Sequence, residues 1–341
     1  MKRLLVTGAA GFIGSNFVRR VLQRQSDWHV LALDALTYAG NPANIEHLED
    51  TGRFEFVRGD ICDEQKVSSL FEGGLWGVIN LAAETHVDRS IHGGAAFVRT
   101  NVVGVQVLLE LSRLHGVDRF VQVSTDEVYG SLDAQGRFSE TSPLAPNSPY
   151  SASKASADLL VRAYHHTHGV PGVITRCSNN YGPYQFPEKV IPLFVTNLLE
   201  GRKVPLYGDG SNVRDWIHVQ DHCDALIRVL QDGQAGEIYN IGADNELSNL
   251  ELTRAILRQL GQDDSMIQRV TDRPGHDWRY AIDARKLRRE LGWSPQVPFE
   301  QGLAQTVQWY VDNKLWWQAV RSGDYRKYYQ RQYGTREDVG S

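Results

Sequence analysis

Arg3-Leu4-Leu5-Val6-Thr7-Gly8-Ala9-Ala10-Gly11-Phe12-Ile13-Gly14-Ser15 is the stretch whose reading decides the fold. Residues 3–6 are a short apolar run that reads as a buried strand. Glycines follow at 8, 11 and 14, and Ser15 to Arg24 reads as a helix. Strand, glycine turn and helix in that order form a cradle for a diphosphate. Glycines let the backbone approach closely, and the charge favours a helix N-terminus. The spacing is G-x-x-G-x-x-G rather than G-x-G-x-x-G, and a glycine turn of purely structural purpose is the competing reading.

Working outward, His29 to Leu33 reads as a second strand ending at Asp34, about twenty residues past Gly14. A ribose-binding carboxylate belongs there. It accepts from a 2′-hydroxyl and repels a 2′-phosphate, which favours NAD over NADP. A helix cap is the other reading of Asp34. Phe54 to Val57 is a third strand, and Asp60 at its end can meet an adenine. Trp76 to Leu81 is a fourth, running into Ala82 and Ala83, whose small side chains let a flat cofactor lie close. His86 just beyond reads equally as a ligand-facing residue or a helix cap. A helix is expected over Ala96–His115. Phe120 to Val123 is a fifth strand and Gly172 to Arg176 a sixth. Strands alternating with helices imply a doubly wound parallel α/β sheet with right-handed crossovers.

The chain has 341 residues, enough for one large domain or two smaller ones. Its net charge is −5 with no basic patch, so neither nucleic acid nor an anionic membrane is an expected partner. The three cysteines, Cys62, Cys177 and Cys223, are far apart, show no metal spacing and suggest no disulfide framework. The apolar start at residue 3 is too short for a secretory signal. No apolar run approaches membrane-spanning length. A cytoplasmic location is expected.

Ser124-Thr125-Asp126-Glu127 follows the fifth strand, at the carboxyl end of the sheet, where ligands bind in this architecture. Both acids reach one ligand only if the chain has begun to turn, since strand side chains alternate in direction. Capping of a turn is the plainer reading. Pro143 to Pro149 is a loop, and Tyr150 to Thr167 reads as a helix on which Tyr150 and Lys154 share a face. A nearby ammonium and an oxidised nicotinamide favour phenolate and lower the tyrosine pKa, making it a base near neutral pH. An exposed amphipathic pair is the alternative. In the second half, Lys189, Arg214 and Arg273, each taken alone, read as solvated loop charges. Glu251 to Leu260 and Phe299 to Val320 read as helices, with Trp309, Trp316 and Trp317 as packing residues. The tail from Arg321 has no clear periodicity.

These residues resemble the extended short-chain dehydrogenase/reductases that act on nucleotide sugars, and within them the dTDP-glucose 4,6-dehydratase family. The resemblance runs from Leu4 to about Trp309. It is carried by TGAAGFIG (7–14), LDALTYAGN (33–41), GDI (59–61), LAAETHVDRSI (81–91), STDEVYG (124–130), SPYSASKASAD (148–158), NNYGPYQFPEKVIP (179–192), PLYGDGSNVRDWIHV (205–219) and DRPGHDWRYAID (272–283). The Asp-Glu pair after Ser-Thr is the specific signal, because 4-epimerases of this fold usually lack both acids. Ala35 and Trp278 depart from the family's usual residues.

The resemblance implies a Rossmann-type doubly wound parallel sheet over residues 1–180, rejoined by about 215–245. A smaller C-terminal mixed α/β substrate-binding domain would occupy most of 181–330. It implies NAD held by Gly8, Gly11, Phe12, Ile13, Gly14, Asp34, Ala35, Leu36, Thr37, Asp60 and Ile61. Leu81, Ala82, Ala83, Thr85, Thr100, Tyr150, Lys154 and Asn180 complete that set. For the dTDP-glucose substrate it implies contacts from Thr85, His86, Thr125, Asn179, Lys189, Val190, Pro205, Leu206 and Tyr207. Arg214, Asn249, Asp272, Arg273, Pro274, Gly275, His276 and Tyr280 follow.

The implied reaction oxidises C4, expels water across C5 and C6, and returns the hydride to C6. Tyr150, beside Lys154, takes the 4-hydroxyl proton, and Thr125 bonds the 4-oxygen. Glu127 is the base at C5, and Asp126 protonates the departing 6-hydroxyl. A homodimer built on the 96–115 segment and the Tyr150 helix is also implied. An epimerase would use Tyr150 and Lys154 but have no work for the two acids. A non-catalytic NAD-binding module would need none of the four.

Overall fold

The computed structural model describes residues 1–272 and 275–321. The first half alternates β1 (Lys2–Thr7), α1 (Phe12–Arg24), β2 (Trp28–Asp34), β3 (Phe54–Arg58), α2 (Glu64–Phe71), β4 (Gly77–Asn80), α3 (Val87–His92), α4 (Ala95–Val98), α5 (Gly104–His115), β5 (Arg119–Thr125), α6 (Pro149–His168) and β6 (Gly172–Cys177). The second half adds β7 (Asn179–Tyr181), α7 (Val190–Leu199), β8 (Val204–Tyr207), β9 (Val213–His218), α8 (Val219–Asp232), β10 (Ile238–Ile241), β11 (Glu246–Ser248), α9 (Asn249–Gln259), β12 (Ile267–Val270), α10 (Arg285–Leu291), α11 (Phe299–Asp312) and α12 (Lys314–Val320).

Seven strands form one sheet in the order β10-β6-β5-β4-β1-β2-β3, every pair parallel. The strands are apolar almost throughout because helices cover both faces. On one face Phe17 and Val18 of α1 pack with Leu226 and Leu230 of α8 and Leu287 of α10. On the other, Val67 of α2, Leu108 of α5 and Val161 of α6 share a core. A third core gathers Phe194 of α7, Ile256 of α9, Leu303 of α11 and Trp317 of α12. Strand order reverses between β1 and β4, which opens a crevice beyond their carboxyl ends.

Several elements differ from the sequence reading. The helix begins at Phe12, not Ser15, because Gly11 already serves as its N-cap. The run expected over 96–115 is two α-segments joined by a π-turn at Arg99–Val103. There Asn101 Oδ1 accepts from Glu84 N at 2.9 Å, and its Nδ2 donates to Glu84 O at 3.0 Å and Ser153 Oγ at 2.9 Å. These buried bonds offset the broken α pattern, and such turns recur at functional sites. The whole stretch Ala95–His115 is 21 residues long, long and apolar enough to cross a membrane by length and composition. This corrects the expectation that no run reaches that length. Nearly half of that stretch is buried inside the fold, and its apolar face forms the core against the sheet.

The single helix expected over 299–320 is also two helices. The chain breaks at Asn313 (φ −108°, ψ 42°), whose Nδ2 donates to Trp309 O at 2.8 Å. The break turns Trp317 into the core, where its Nε1 donates to Tyr310 O. The ninth helix starts at Asn249 rather than Glu251, capped by reciprocal bonds between Ser248 and Glu251. Arg273, Pro274 and everything beyond Arg321, including the expected domain end near 330, lie outside the described residues.

Candidate active site

Two cavities meet in the crevice. The larger, about 310 Å³, runs from the glycine turn to Tyr150 and Lys154. The smaller, about 170 Å³, lies between His86, Tyr207, Arg214 and Tyr280. Glu127, Asn179, Glu188 and Lys189 line both.

The glycine turn is shaped by two contacts that exclude side chains. Gly8 has φ +66°, and a Cβ there would stand 2.6 Å from Ala82 N; one on Gly14 would stand 2.0 Å from Gly8 O. The helix that follows has no side-chain cap and no acid in its first turn, so its positive end faces the cavity unopposed. Asp34 accepts from Ala10 N at 2.9 Å and Leu36 N at 2.7 Å while lining the same cavity. It therefore caps the turn after β2 and also presents a carboxylate to the crevice. Burial raises its pKa, and those two backbone bonds oppose the rise. A cradle that Cβ atoms would fill, an uncapped helix and a strand-end acid fit an adenine dinucleotide with a free 2′-hydroxyl.

Of the expected cofactor residues, Gly8, Gly11, Phe12, Ile13, Gly14, Asp34, Ala35, Thr37, Asp60, Ile61, Leu81, Ala82, Ala83, Thr85, Thr100 and Asn180 line the larger cavity. Leu36 does not. Its φ of +53° turns the chain, and its side chain packs on the core beneath. Of the expected substrate residues, His86, Asn179, Lys189, Val190, Pro205, Leu206, Tyr207, Arg214, Asn249, His276 and Tyr280 line the smaller cavity. His86 precedes α3 without capping it by its side chain, so of its two readings the cavity-facing one describes it. Asp272 and Gly275 stand off that wall. Asp272 instead bonds His276 Nδ1 at 2.7 Å, and Gly275 turns the loop at φ +65°.

Thr125, Asp126 and Glu127 are brought to the wall by a 3-10 turn at Asp126–Tyr129, which begins where β5 ends. The Thr125 hydroxyl accepts from Glu127 N at 3.3 Å, so this triplet both caps the turn and faces the cavity. Asp126 is buried, and its pKa is pushed well above the ordinary carboxyl value, first by burial and then by Glu127 beside it. Its neutral form is therefore favoured.

Tyr150 and Lys154 are both buried on α6. Lys154 Nζ donates to Val123 O at 2.7 Å; burial lowers its pKa, and Asp158 one turn on opposes that. Asp158 is itself held by Arg176 Nε at 2.9 Å. The expected lowering of the Tyr150 pKa is not what this protein alone produces. Burial first, then the Glu127 carboxylate, hold the phenol well above 10, against a bond with Thr125.

Sequence reasoning missed Glu188. Its side chain is 1% exposed, it accepts from Tyr38 OH at 2.9 Å and Arg89 Nε at 3.1 Å, and it stands where the cavities join. Gln185, Phe186 and Cys177 on the larger wall were missed too. Only an acid beside a lysine in a proline-bounded stretch hinted at the first of these.

The model of the GDP-mannose 4,6-dehydratase family matches residues 5–306. A dTDP-glucose 4,6-dehydratase of Streptomyces niveus is 54% identical over 326 residues, 94% of this chain and 96% of that protein. The crystal structure of a dTDP-glucose 4,6-dehydratase from Streptomyces venezuelae with NAD bound is 55% identical, with a TM-score of 0.91, covering 93% of this chain and 99% of that one. A UDP-glucose 4-epimerase from Thermotoga maritima is similar at 30% identity, with a TM-score of 0.85, covering 92% and 99%. The fold is thus common to dehydratases and epimerases, whereas the relatives at more than half identity are dehydratases: this chain belongs to the dTDP-glucose 4,6-dehydratase family.

Proposed function

We propose that this protein converts dTDP-glucose to dTDP-4-keto-6-deoxyglucose, with NAD as its resident cofactor. The observation that carries the reading is the meeting of Tyr150, Asp126 and Glu127 on one wall, with Glu127 shared between the cofactor-side and sugar-side cavities. NAD⁺ held against the glycine turn would supply the hydride chemistry needed to oxidise C4 and later reduce C6. Tyr150 accepts the proton of the 4-hydroxyl while Thr125 bonds the 4-oxygen. The resulting ketone acidifies C5–H, and Glu127 removes that proton. Asp126, kept neutral by burial and by its neighbour, gives its proton to the 6-hydroxyl as water departs. Asp34 with Ala35 and Thr37 holds the ribose side, and Asp60 with Ile61 the adenine side. Ala82 and Ala83 leave room for the flat ring.

In the sugar-side cavity Arg214 and Lys189 face the diphosphate. Arg214 is buried and prepositioned, donating to Val213 O at 2.7 Å and Asp277 O at 2.9 Å with its guanidinium 4.2 Å from the Tyr280 ring. Tyr207 and Pro205 offer faces for the base. We assign cofactor binding to residues 1–180 with 215–245, and sugar binding to most of the rest.

Purified protein given dTDP-glucose and no added reductant is expected to form a product with the alkali-induced absorbance of a 4-keto-6-deoxy sugar nucleotide. An epimerase would leave that signal at zero and interconvert glucose with galactose. UDP-glucose and GDP-mannose run alongside report the preference for the base.

A homodimer is part of the same reading. Val98, Val103, Leu114 and Leu159 on the helical run 95–115 and on α6 are each about half exposed and apolar. Sedimentation at twice the chain mass is expected; a monomer unaffected by Leu159→Glu would remove this face as an interface.

A further inference from the structure

Trp316, near the C-terminal end of the described chain, is tied to the glycine turn by bonds in series. Its Nε1 donates to Asn44 Oδ1 at 2.9 Å. Asn44 is 1% exposed, and its Nδ2 donates to Ala10 O at 2.9 Å. Ala10 N donates in turn to Asp34 Oδ2 at 2.9 Å. The chain of bonds therefore runs from α12 through the loop after β2 into the middle of the turn and on to the strand-end acid. Buried amides of this kind hold one geometry because leaving either partner unbonded is costly.

The same indole braces a second loop. Tyr184 has φ +68°, a conformation that side chains other than glycine rarely adopt and that persists only where neighbours enforce it. Its ring lies 4.7 Å from Trp309, 5.9 Å from Trp316 and 4.2 Å from the Arg19 guanidinium of α1. Gln185 and Phe186, next in sequence, are on the cofactor-side wall. Trp316 thus touches both segments that flank the dinucleotide, although α12 contributes nothing to either cavity.

We propose that Trp316 and Asn44 are positioning residues for the cofactor. The helix α12 braces the glycine turn in its diphosphate-binding shape and sets how slowly NAD leaves. The inference rests on the NAD reading above. It suits that reading because a cofactor reduced and reoxidised within each turnover has no need to exchange.

Two variants of the full-length protein test it. Trp316→Phe keeps a ring against Tyr184 and deletes one N–H. Asn44→Asp keeps an acceptor for Trp316 and sets an oxygen against Ala10 O. NAD content of the wild type, measured first, reports the cofactor reading by itself. The rate at which bound NAD is replaced by labelled NAD is then expected to rise about fivefold or more in both variants, as for loss of one buried hydrogen bond. Amide hydrogen exchange across residues 8–12 of the cofactor-free protein is expected to quicken as well. At saturating NAD the KM for dTDP-glucose should stay at the wild-type value, which a general loss of structure would not permit. Unchanged NAD release in both variants, or unchanged amide exchange in the turn, overturns the brace. Should Asn44→Asp fail to show a cooperative melt, Trp316→Phe alone decides. Should the wild type carry no NAD, the cofactor reading fails first and the exchange measurement still decides whether Trp316 holds the turn.

Discussion

Glu127→Gln is expected to oxidise dTDP-glucose at C4 and then stall. The amide keeps the size and the hydrogen-bonding reach of the carboxylate but cannot take a proton. Loss of a positioned base commonly costs roughly 10²–10⁴-fold, and kcat for the 4-keto-6-deoxy product should fall by that order with KM little changed. In deuterated water the wild type should place solvent deuterium at C5, and the variant should not, while absorbance of the reduced nicotinamide still rises on mixing. Full exchange in Glu127→Gln would take the base role away from this residue. The neighbouring acid gives the converse pattern. Asp126→Asn should keep C5 exchange and lose water expulsion. Because burial, followed by Glu127, raises the Asp126 pKa, the proton needed for that step is retained well above the ordinary carboxyl range. The alkaline limb of turnover should therefore follow the loss of this proton. In an amide variant that limb is absent.

These two side chains also show why part of the site was legible in the sequence. A strand end, a threonine that caps and a short turn place three consecutive residues on one wall. Each of those features is local, so the chemistry of 125–127 follows from neighbours in the chain. The glycine turn is legible for the same reason. Its clashes are with residue 8 of the same turn and with residue 82, at the end of the adjoining strand β4. Glu188 was not legible, because its partners Tyr38 and Arg89 lie 150 and 99 residues away and nothing periodic marks an acid whose burial is created by two loops meeting the helix α3. The helix ends erred where a side chain overruled periodicity. Asn313 closes its own helix on Trp309 O, and Asn101 breaks an α pattern to grip Glu84. The apolar length of 95–115 was underestimated because charged residues at 99, 110 and 113 interrupt it in sequence while the buried face stays continuous. Most of the second half was readable as a set of segments but not as an architecture. Its strands return to the main sheet only at β10, after a detour through a smaller antiparallel and parallel pairing around β9.

Tyr150→Phe is expected to silence the reaction before it starts, with neither reduced nicotinamide nor C5 exchange, a loss again of roughly 10²–10⁴-fold or more. The pH dependence carries the sharper test. In the protein alone the phenol is held well above 10, by burial first and by the Glu127 carboxylate next. Lys154 is buried nearby with its ammonium on Val123 O. That cation does not by itself bring the phenol down, so the further positive charge of an oxidised nicotinamide must do so. Ultraviolet titration of the wild type minus Tyr150→Phe should therefore show no phenolate below about pH 10 in cofactor-free protein, ten being the ordinary tyrosine value. Loading NAD⁺ should move that ionisation toward neutrality. The sign is fixed by the role: a base acts deprotonated, so C4 oxidation rises with pH through the shifted pKa and is lost as pH falls below it. If the difference titration keeps its alkaline midpoint with NAD⁺ bound while oxidation proceeds at neutral pH, the proton of the 4-hydroxyl is going elsewhere. The carboxylate of Glu127, on the same wall, would then be the group that receives it.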